Sequence, residues 1–427
     1  MLMAPDQSLA LHLQQAAAQH ASQLALHTGE QTWSFAELLD DTRNLADPAK
    51  SSDGILIASG SSLDLAHHAY ACSFENRPFW PVHRSTPCFT PQEAILASYP
   101  DAALIISTSG SEGAPRAVVL GNRQMDVAAG LANQTLGLHP GDLWLNCLPL
   151  FHIGGQSILW RCAKAGAGVF LIDGFMQEQV IAALASHPVT HLSLVPAMLA
   201  SLLEQGVKPP TSLRVALIGG AALSPQLYDR AMQSGWPLYP SYGMSESSAQ
   251  LATFTPQDGV WHAGCVGKTM PGHEIRIGDD GRISIRGPQI MLGYLNTPQR
   301  DDTDWLLTGD IGSLDHDGRL TITGRADDML ISGGRNVHPL EIESCLAACP
   351  GVSEVAVSGR PDPVWGDLIV AILVGKAAEN TLRAHAKNTL HSAAQPRKYI
   401  FVDALPKTPA GKPDRVKIRQ LAMQSAG

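Results

Sequence analysis

Five short stretches of the chain carry residue types suited to phosphate and carboxylate chemistry. Ser107–Val118 reads STSGSEGAPRAV and follows directly on the apolar run ALII. A strand that ends in a Ser/Thr/Gly loop turns several backbone N–H groups and hydroxyls toward one point, as phosphate oxygens require. Tyr239–Ser247, YPSYGMSES, sets an aromatic ring, a glycine and hydroxyls beside a carboxylate. The ring suits a stacked base and the oxygens suit a hard divalent cation. Trp305–Asp310, WLLTGD, and Gly324–Pro339, GRADDMLISGGRNVHP, offer a carboxylate for the paired hydroxyls of a ribose and an arginine able to bridge ribose and phosphate. Leu405–Arg415, LPKTPAGKPDR, places a lysine on a Pro/Gly-rich loop, as a mobile cation for a reacting phosphate would need. Taken singly, each stretch also reads as a turn or a solvated surface loop. A sixth, His262–Thr269, HAGCVGKT, approaches a Walker A loop but has His where the first Gly is required, and no strand–loop–helix context surrounds it.

The elements that must hold these stretches follow from apolar patterning. Asp53–Ser59, Ala103–Ser107, Leu143–Leu148, Gly168–Ile172, Thr190–Val195 and Val215–Ile218 read as strands. Met125–Thr135, Gln179–His187, Met198–Gln205 and Pro225–Gln233 between them carry helical spacing. Strand–helix alternation predicts an α/β fold with parallel sheets covered on both faces. After about residue 250 the texture changes to short strands with Gly turns, such as Glu274–Ile277, Arg282–Arg286 and Arg319–Thr323, which predicts a small β-barrel-like antiparallel unit. From Pro339 onward the order is helix, strand, strand, helix, a compact α+β module.

Composition narrows the function classes. Of 427 residues, 44% are hydrophobic and 16% charged, a globular balance. Thirty Lys and Arg against 39 Asp and Glu give a net charge of −9 with no basic run, which argues against a nucleic-acid partner. Seven scattered cysteines without a C-x-x-C pair indicate neither a disulfide framework nor a zinc site. No basic n-region opens the chain, and its longest apolar run is of the Leu368–Val374 kind, far short of the ~20 residues of a membrane span. A cytoplasmic protein without a membrane partner is expected. The absence of G-x-G-x-x-G after an early strand sets a nicotinamide-dependent dehydrogenase aside.

The order and spacing of the stretches resemble the adenylate-forming superfamily of acyl-CoA synthetases, aryl-CoA ligases, nonribosomal adenylation domains and luciferases. The resemblance runs from Thr32–Leu39, TWSFAELL, to Arg415. Asn146–Ala167, NCLPLFHIGGQSILWRCAKAGA, is similar to the o-succinylbenzoate–CoA ligase family. Arg325–Glu343, RADDMLISGGRNVHPLEIE, with Asp362–Asp367, DPVWGD, is similar to the 4-chlorobenzoate–CoA ligases. The resemblance implies an AMP-forming acid–thiol ligase using ATP, Mg²⁺ and CoA, which makes an acyl-adenylate and then a thioester. It implies an N-terminal adenylation domain over 1–324 (α/β to about 250, β-rich over about 251–324), a hinge at 325–328 and a mobile C-terminal domain over 329–427.

Residue roles follow from the same resemblance. Thr108, Ser109, Gly110, Ser111, Gly113 and Arg116 would line the ATP phosphates. Tyr242 would stack on adenine beside Gly243, Ser245 would bond the α-phosphate, and Glu246 would hold Mg²⁺. Asp310 would take the ribose hydroxyls with Arg325 beside it, Asp327 would be the hinge, and Lys412 would steady the carboxylate and α-phosphate during adenylation. His152 and Gly219, Gly220, Ala221 and Ala222 would wall the acyl pocket, and Gly333 and Gly334 would pass the pantetheine arm. Two positions depart from the family pattern: Glu112 stands where relatives carry Thr, and Arg116 where they carry Lys. A carboxylate turned toward phosphate would cost about 1–4 kcal/mol at ~4 Å, so Glu112 is expected to face solvent or pair with Arg116, the alternative being a slowed first half-reaction.

The small pocket residues leave room for a flat ring, which predicts an aromatic acid. Arg161 would bind a second carboxylate, as a succinylbenzoate requires, or serve the structure alone. A free-standing acyl carrier protein stays open as the alternative acceptor, a degenerate adenylate-binding protein as the alternative class, and monomer or homodimer as the assembly.

Overall fold

The structure, a computed structural model, describes residues 7–47, 54–85, 99–108, 116–295, 297–408 and 413–424. Its largest sheet has thirteen strands. The parallel part runs Leu238–Met244, Val215–Ile218, His191–Leu194, Leu143–Asn146, Gly168–Leu171, Leu24–His27, and ends on the antiparallel strand Thr32–Ser34. Every residue of the four strands Val215–Ile218, His191–Leu194, Leu143–Asn146 and Gly168–Leu171 is buried, as a parallel sheet covered on both faces demands.

Side chains alternate between two cores. Trp144, Val169, Leu171, Val215 and Leu217 pack with Met125, Ala129, Ile158 and Leu159 of helices Asn122–Leu136 and Ile153–Ala165. Leu145, Phe170, Ala216 and Ile218 pack with Val180, Leu184, Leu199, Leu202 and Ala231 of helices Gln177–Ser186, Pro196–Glu204 and Pro225–Gln233. This is the strand period of two read out as two layers. Element ends depart from the sequence reading where a cap decides them. Pro196 opens its helix two residues early, because its missing N–H costs nothing in the first turn. The strand expected over Leu143–Leu148 stops at Asn146, whose side chain bonds the carbonyl of Gly155 and the N–H of Leu148 at 3.2 Å each and turns the chain.

The sheet changes character inside Leu238–Met244. Residues 238–240 pair in parallel with Val215–Ile218, whereas 241–244 pair antiparallel with Ala249–Thr253. Cys265–Thr269, Arg319–Arg325, Leu306–Leu314, Arg282–Arg286 and Glu274–Ile277 then continue antiparallel to an open edge. The antiparallel unit expected after residue 250 is therefore present, without closure into a barrel. The Walker-like HAGCVGKT ends on one of these strands, Cys265–Thr269, consistent with its rejection.

A second sheet orders Gly293–Tyr294, Arg116–Gly121, Ala102–Thr108, Phe79–Pro81 and Leu56–Ala58. The C-terminal sheet is built on Gly366–Gly375, flanked by Val352–Asp362 and Lys398–Phe401. Ile369, Ala371 and Leu373 face a core with helices Pro339–Ala347 and Glu379–Thr389, while Val370 and Ile372 face Ile418 and Ala422 of helix Arg415–Gln424. That two-sided burial explains the apolar run at Leu368–Val374. No helix among the described residues is long and apolar enough to cross a membrane.

Candidate active site

The change from parallel to antiparallel pairing places Tyr242 just beyond the carboxyl ends of the parallel strands, where open α/β sheets take their ligands. Its hydroxyl donates to Asp310 Oδ2 at 2.6 Å. Burial, and then the Asp310 charge, push the Tyr242 phenol well above its ordinary range, so it stays a protonated donor. Asp310 is a register partner of Arg325 on the neighbouring strand, and Arg325 Nη1 reaches Asp310 Oδ1 at 3.3 Å. Gly309 permits this: a Cβ there would lie 2.5 Å from Arg325 Nη2. The glycine of WLLTGD thus serves the arginine as much as the strand. The same guanidinium grips Asp327 through Nε and Nη2, each at 3.0 Å. Four sequence-predicted residues, Tyr242, Asp310, Arg325 and Asp327, are therefore one hydrogen-bonded chain.

Gly243 is fixed by contact, since an added Cβ would sit 1.7 Å from the carbonyl oxygen of Ala249. The chain turns there through a short 3₁₀ segment, Ser245–Ser247, and then through Ser248 and Ala249 at φ of 51° and 89°. The strained turn is held from outside: Gln289, fully buried, donates its amide to the carbonyls of Ser247 at 2.7 Å and Gln250 at 2.6 Å. Met291 N–H donates to the Glu246 carbonyl at 2.8 Å. Tyr294 donates its hydroxyl to Glu246 Oε1 at 3.0 Å. The other Glu246 oxygen accepts no hydrogen bond among the described residues. A half-buried carboxylate with an uncommitted oxygen, next in sequence to Ser245, fits a hard cation such as Mg²⁺.

The segment expected to line the phosphates lies between strands Ala102–Thr108 and Arg116–Gly121, whose facing ends Thr108 and Arg116 are register partners. Thr108 Oγ1 donates to the Arg116 carbonyl at 3.2 Å. Ser109, Gly110, Ser111, Glu112 and Gly113 lie outside the described residues. A cavity of about 300 Å³ lies toward the opposite end of this strand, lined by Ala102, Leu104, Asn122, Gln156 and Trp160 among others, and holds none of the candidate site residues.

His152 is the N-cap of helix Ile153–Ala165, its ring 4.6 Å from that of Phe151. The smallness of Gly155 is used by the backbone, with Pro149 O 2.6 Å from where a Cβ would stand. Gly219–Ala222 follow strand Val215–Ile218 at its carboxyl end, with Gly220, Ala221 and Ala222 exposed. Arg161, two and a half turns along the helix from His152, is only 3% exposed. Its guanidinium carbon lies 5.4 Å from the Trp144 ring, and burial lowers its pKa to about 10. No carboxylate among the described residues pairs with it.

Gly333 and Gly334, at φ of 55° and 73°, are the two-residue turn between paired Ser332 and Arg335. Positive φ at both places is what a type I′ hairpin requires. Trp365 lies against Gly333, and Arg397 stacks on Trp365 at 4.0 Å. Lys412 lies outside the described residues, but both flanks of its loop are fixed. Lys407 pairs with Glu354 at 2.8 Å and bridges to Pro413, and Arg415 forks onto Glu343 at 2.5 and 3.1 Å.

Gln289 and Tyr294 had no signal in the sequence reading. Both sit in GPQIMLGY, where a polar residue inside an apolar run was the available hint.

Residues 73–295 match the family profile of AMP-binding enzymes, and residues 341–412 that of the AMP-binding enzyme C-terminal domain. A 2-succinylbenzoate–CoA ligase of Listeria monocytogenes serovar 1/2a is 37% identical over 327 residues, 74% of this chain and 70% of that one. o-Succinylbenzoate CoA synthetase from Bacillus subtilis has been solved in several complexes. With the acyl-adenylate OSB-AMP it superposes at TM-score 0.84 and 28% identity, over 96% of this chain and 98% of that one. With ATP and magnesium ion it superposes at 0.82 and 28%, over 95% and 98%. A double mutant bound to the product analogue OSB-NCoA gives 0.67 and 27%, over 97% and 98%.

Proposed function

The chain belongs to the family of AMP-binding enzymes, and from that membership we propose that it is an ATP-dependent acid–CoA ligase for 2-succinylbenzoate or a closely similar aromatic acid. The acid's carboxylate oxygen attacks the α-phosphorus of ATP and the bond to pyrophosphate breaks, giving the acyl-adenylate. The CoA thiolate then attacks the acyl carbon and the acyl–oxygen bond to AMP breaks, giving the thioester.

The observation that carries this reading is the hydrogen-bonded chain Tyr242–Asp310–Arg325–Asp327, which joins a ring, a ribose-type carboxylate and an arginine across three strands and ends on the hinge candidate. In it Tyr242 lies under the base, Asp310 accepts from the ribose hydroxyls, and Arg325 sets Asp310. Ser245 and the loop between Thr108 and Arg116 bond the phosphates. Glu246 holds Mg²⁺, which supplies charge neutralisation on the phosphates when bound. Lys412 counters the negative charge that gathers as carboxylate and α-phosphate approach. The closer superposition on the adenylate-bound relative than on the product-analogue complex supports an adenylation arrangement of the two parts, 1–324 and 329–427. Gly333 and Gly334 then serve CoA from the C-terminal part.

The relatives' names and the buried Arg161, which no carboxylate among the described residues meets, together support an acid with a second carboxylate. The test is AMP release from ATP across benzoate, 2-succinylbenzoate, and short and long fatty acids, each with CoA and with hydroxylamine as trap. AMP formation with 2-succinylbenzoate and CoA is expected. Turnover with hydroxylamine but not CoA would assign the acceptor to a carrier protein. No AMP with any acid, while ATP binds, would overturn the ligase reading.

A further inference from the structure

We infer that Tyr294 is a positioning residue that sets the Glu246 carboxylate and the Arg116 end of the phosphate loop as one unit. The inference rests on the metal role proposed for Glu246. Tyr294 belongs to a two-residue strand, Gly293–Tyr294, that pairs antiparallel with Arg116–Gly121 and puts Tyr294 opposite Val118. The next residue continues the contact, with Leu295 N–H donating to the Ala117 carbonyl at 2.8 Å. A backbone anchor fixes the tyrosine: its carbonyl accepts the Tyr99 hydroxyl at 2.8 Å and the Thr297 hydroxyl at 2.9 Å. Gly293 admits that anchor, because a Cβ there would lie 2.5 Å from the Tyr99 oxygen.

From this fixed base one phenol serves two opposite charges. Its hydroxyl donates to Glu246 Oε1 at 3.0 Å, and its ring takes the Arg116 guanidinium carbon at 5.4 Å from the centroid. A carboxylate gripped at one oxygen presents the other in a defined direction, which is how an outer partner raises the fitness of a metal ligand. The ring contact draws Arg116 toward the same carboxylate by cation–π attraction. Because strand 116–121 and the Ser245–Ser247 turn are 120 or more residues apart in sequence, this contact sets their separation at the phosphates.

The two halves of the contact separate by substitution. Tyr294→Phe keeps the ring beside Arg116 and removes the hydroxyl, with its grip on Glu246 and its contact with the Arg116 side chain; Tyr294→Leu removes the ring contact as well. Binding of ATP to the intact chain is measured by calorimetry over a range of Mg²⁺ concentrations, with AMP, which lacks the β- and γ-phosphates, as control and Glu246→Gln as reference. Tyr294→Phe is expected to raise the Mg²⁺ needed for half-maximal ATP binding roughly tenfold while leaving the AMP Kd and the melting temperature unchanged. Tyr294→Leu is expected to add a loss of ATP affinity at saturating Mg²⁺. An unchanged Mg²⁺ dependence in Tyr294→Phe, with a shift in Glu246→Gln, overturns the positioning role and leaves the metal reading standing. No shift in Glu246→Gln overturns both. An equal loss for AMP and ATP in Tyr294→Phe assigns the tyrosine to packing alone and overturns the inference.

Discussion

Arg161 is a buried guanidinium beside the Trp144 ring, with no carboxylate among the described residues to meet it, and such a charge is costly unless a partner arrives. Arg161→Met is therefore expected to raise the KM for 2-succinylbenzoate about tenfold or more and to leave the KM for benzoate nearly unchanged, since losing a buried charged hydrogen bond is worth roughly 1.5–3 kcal/mol. Equal loss with both acids would reduce Arg161 to packing on Trp144. Lys412→Ala is expected to abolish adenylation and to spare thioester formation from pre-made acyl-adenylate; rapid-quench assays of each half-reaction distinguish this from a general defect. His191 gives a pH prediction. Burial lowers its pKa from 6.5 to about 4, so between those values the unfolded chain binds a proton that the folded chain refuses. Stability should then be lost as pH falls from 6.5 to 4, by roughly 3 kcal/mol. Urea unfolding of His191→Leu should lack that slope. At this scale the sequence exposed residues whose type is unusual for their place, such as Tyr242, Asp310 and Arg325. It hid Tyr294, whose partner Glu246 is 48 residues away and whose own surroundings read as an ordinary apolar strand.

Among the elements, Val215–Ile218 was legible because burial on both faces leaves an unmistakable apolar run, and Glu274–Ile277 and Arg282–Arg286 because one covered face leaves Ile alternating with polar residues; all three have the expected ends. The antiparallel continuation was legible as texture, but its joining to the parallel strands within Leu238–Met244 was not. A strand that changes partners midway keeps the same side-chain alternation on both halves. The proposed hinge, 325–328, lies where strand Arg319–Arg325 ends, and Arg325 itself binds Asp327 from the last position of that strand. Asp327→Pro, by fixing φ, is expected to slow thioester formation more than adenylation. Equal rates of loss in separate half-reaction assays would remove Asp327 as the pivot. Gly243→Ala, by contrast, is an element-level lesion. The 1.7 Å approach to Ala249 O leaves no room for a methyl, so the turn bearing Ser245 and Glu246 must shift, and ATP binding should fall before overall helicity does.

For the whole molecule, the division of cores matters most. The apolar clusters of the C-terminal sheet draw only on residues from Leu330 onward, and the two large N-terminal clusters only on residues up to Ile322. Calorimetry should resolve two transitions, and ATP with Mg²⁺ should raise one of them more than the other, because a ligand stabilises only the unit that it holds folded. A single transition moved as a unit would mean that contacts such as Arg325 with Asp327 weld the parts into one cooperative block.

Separate cores also carry a consequence for how such a chain can change over generations. Substitutions with no shared neighbours add their effects nearly independently. If His152 and Arg161 meet the acid as proposed, a lineage could therefore remodel their surroundings for a new one without repacking the strand Gly366–Gly375, and the C-terminal part would pass unaltered from one specificity to the next.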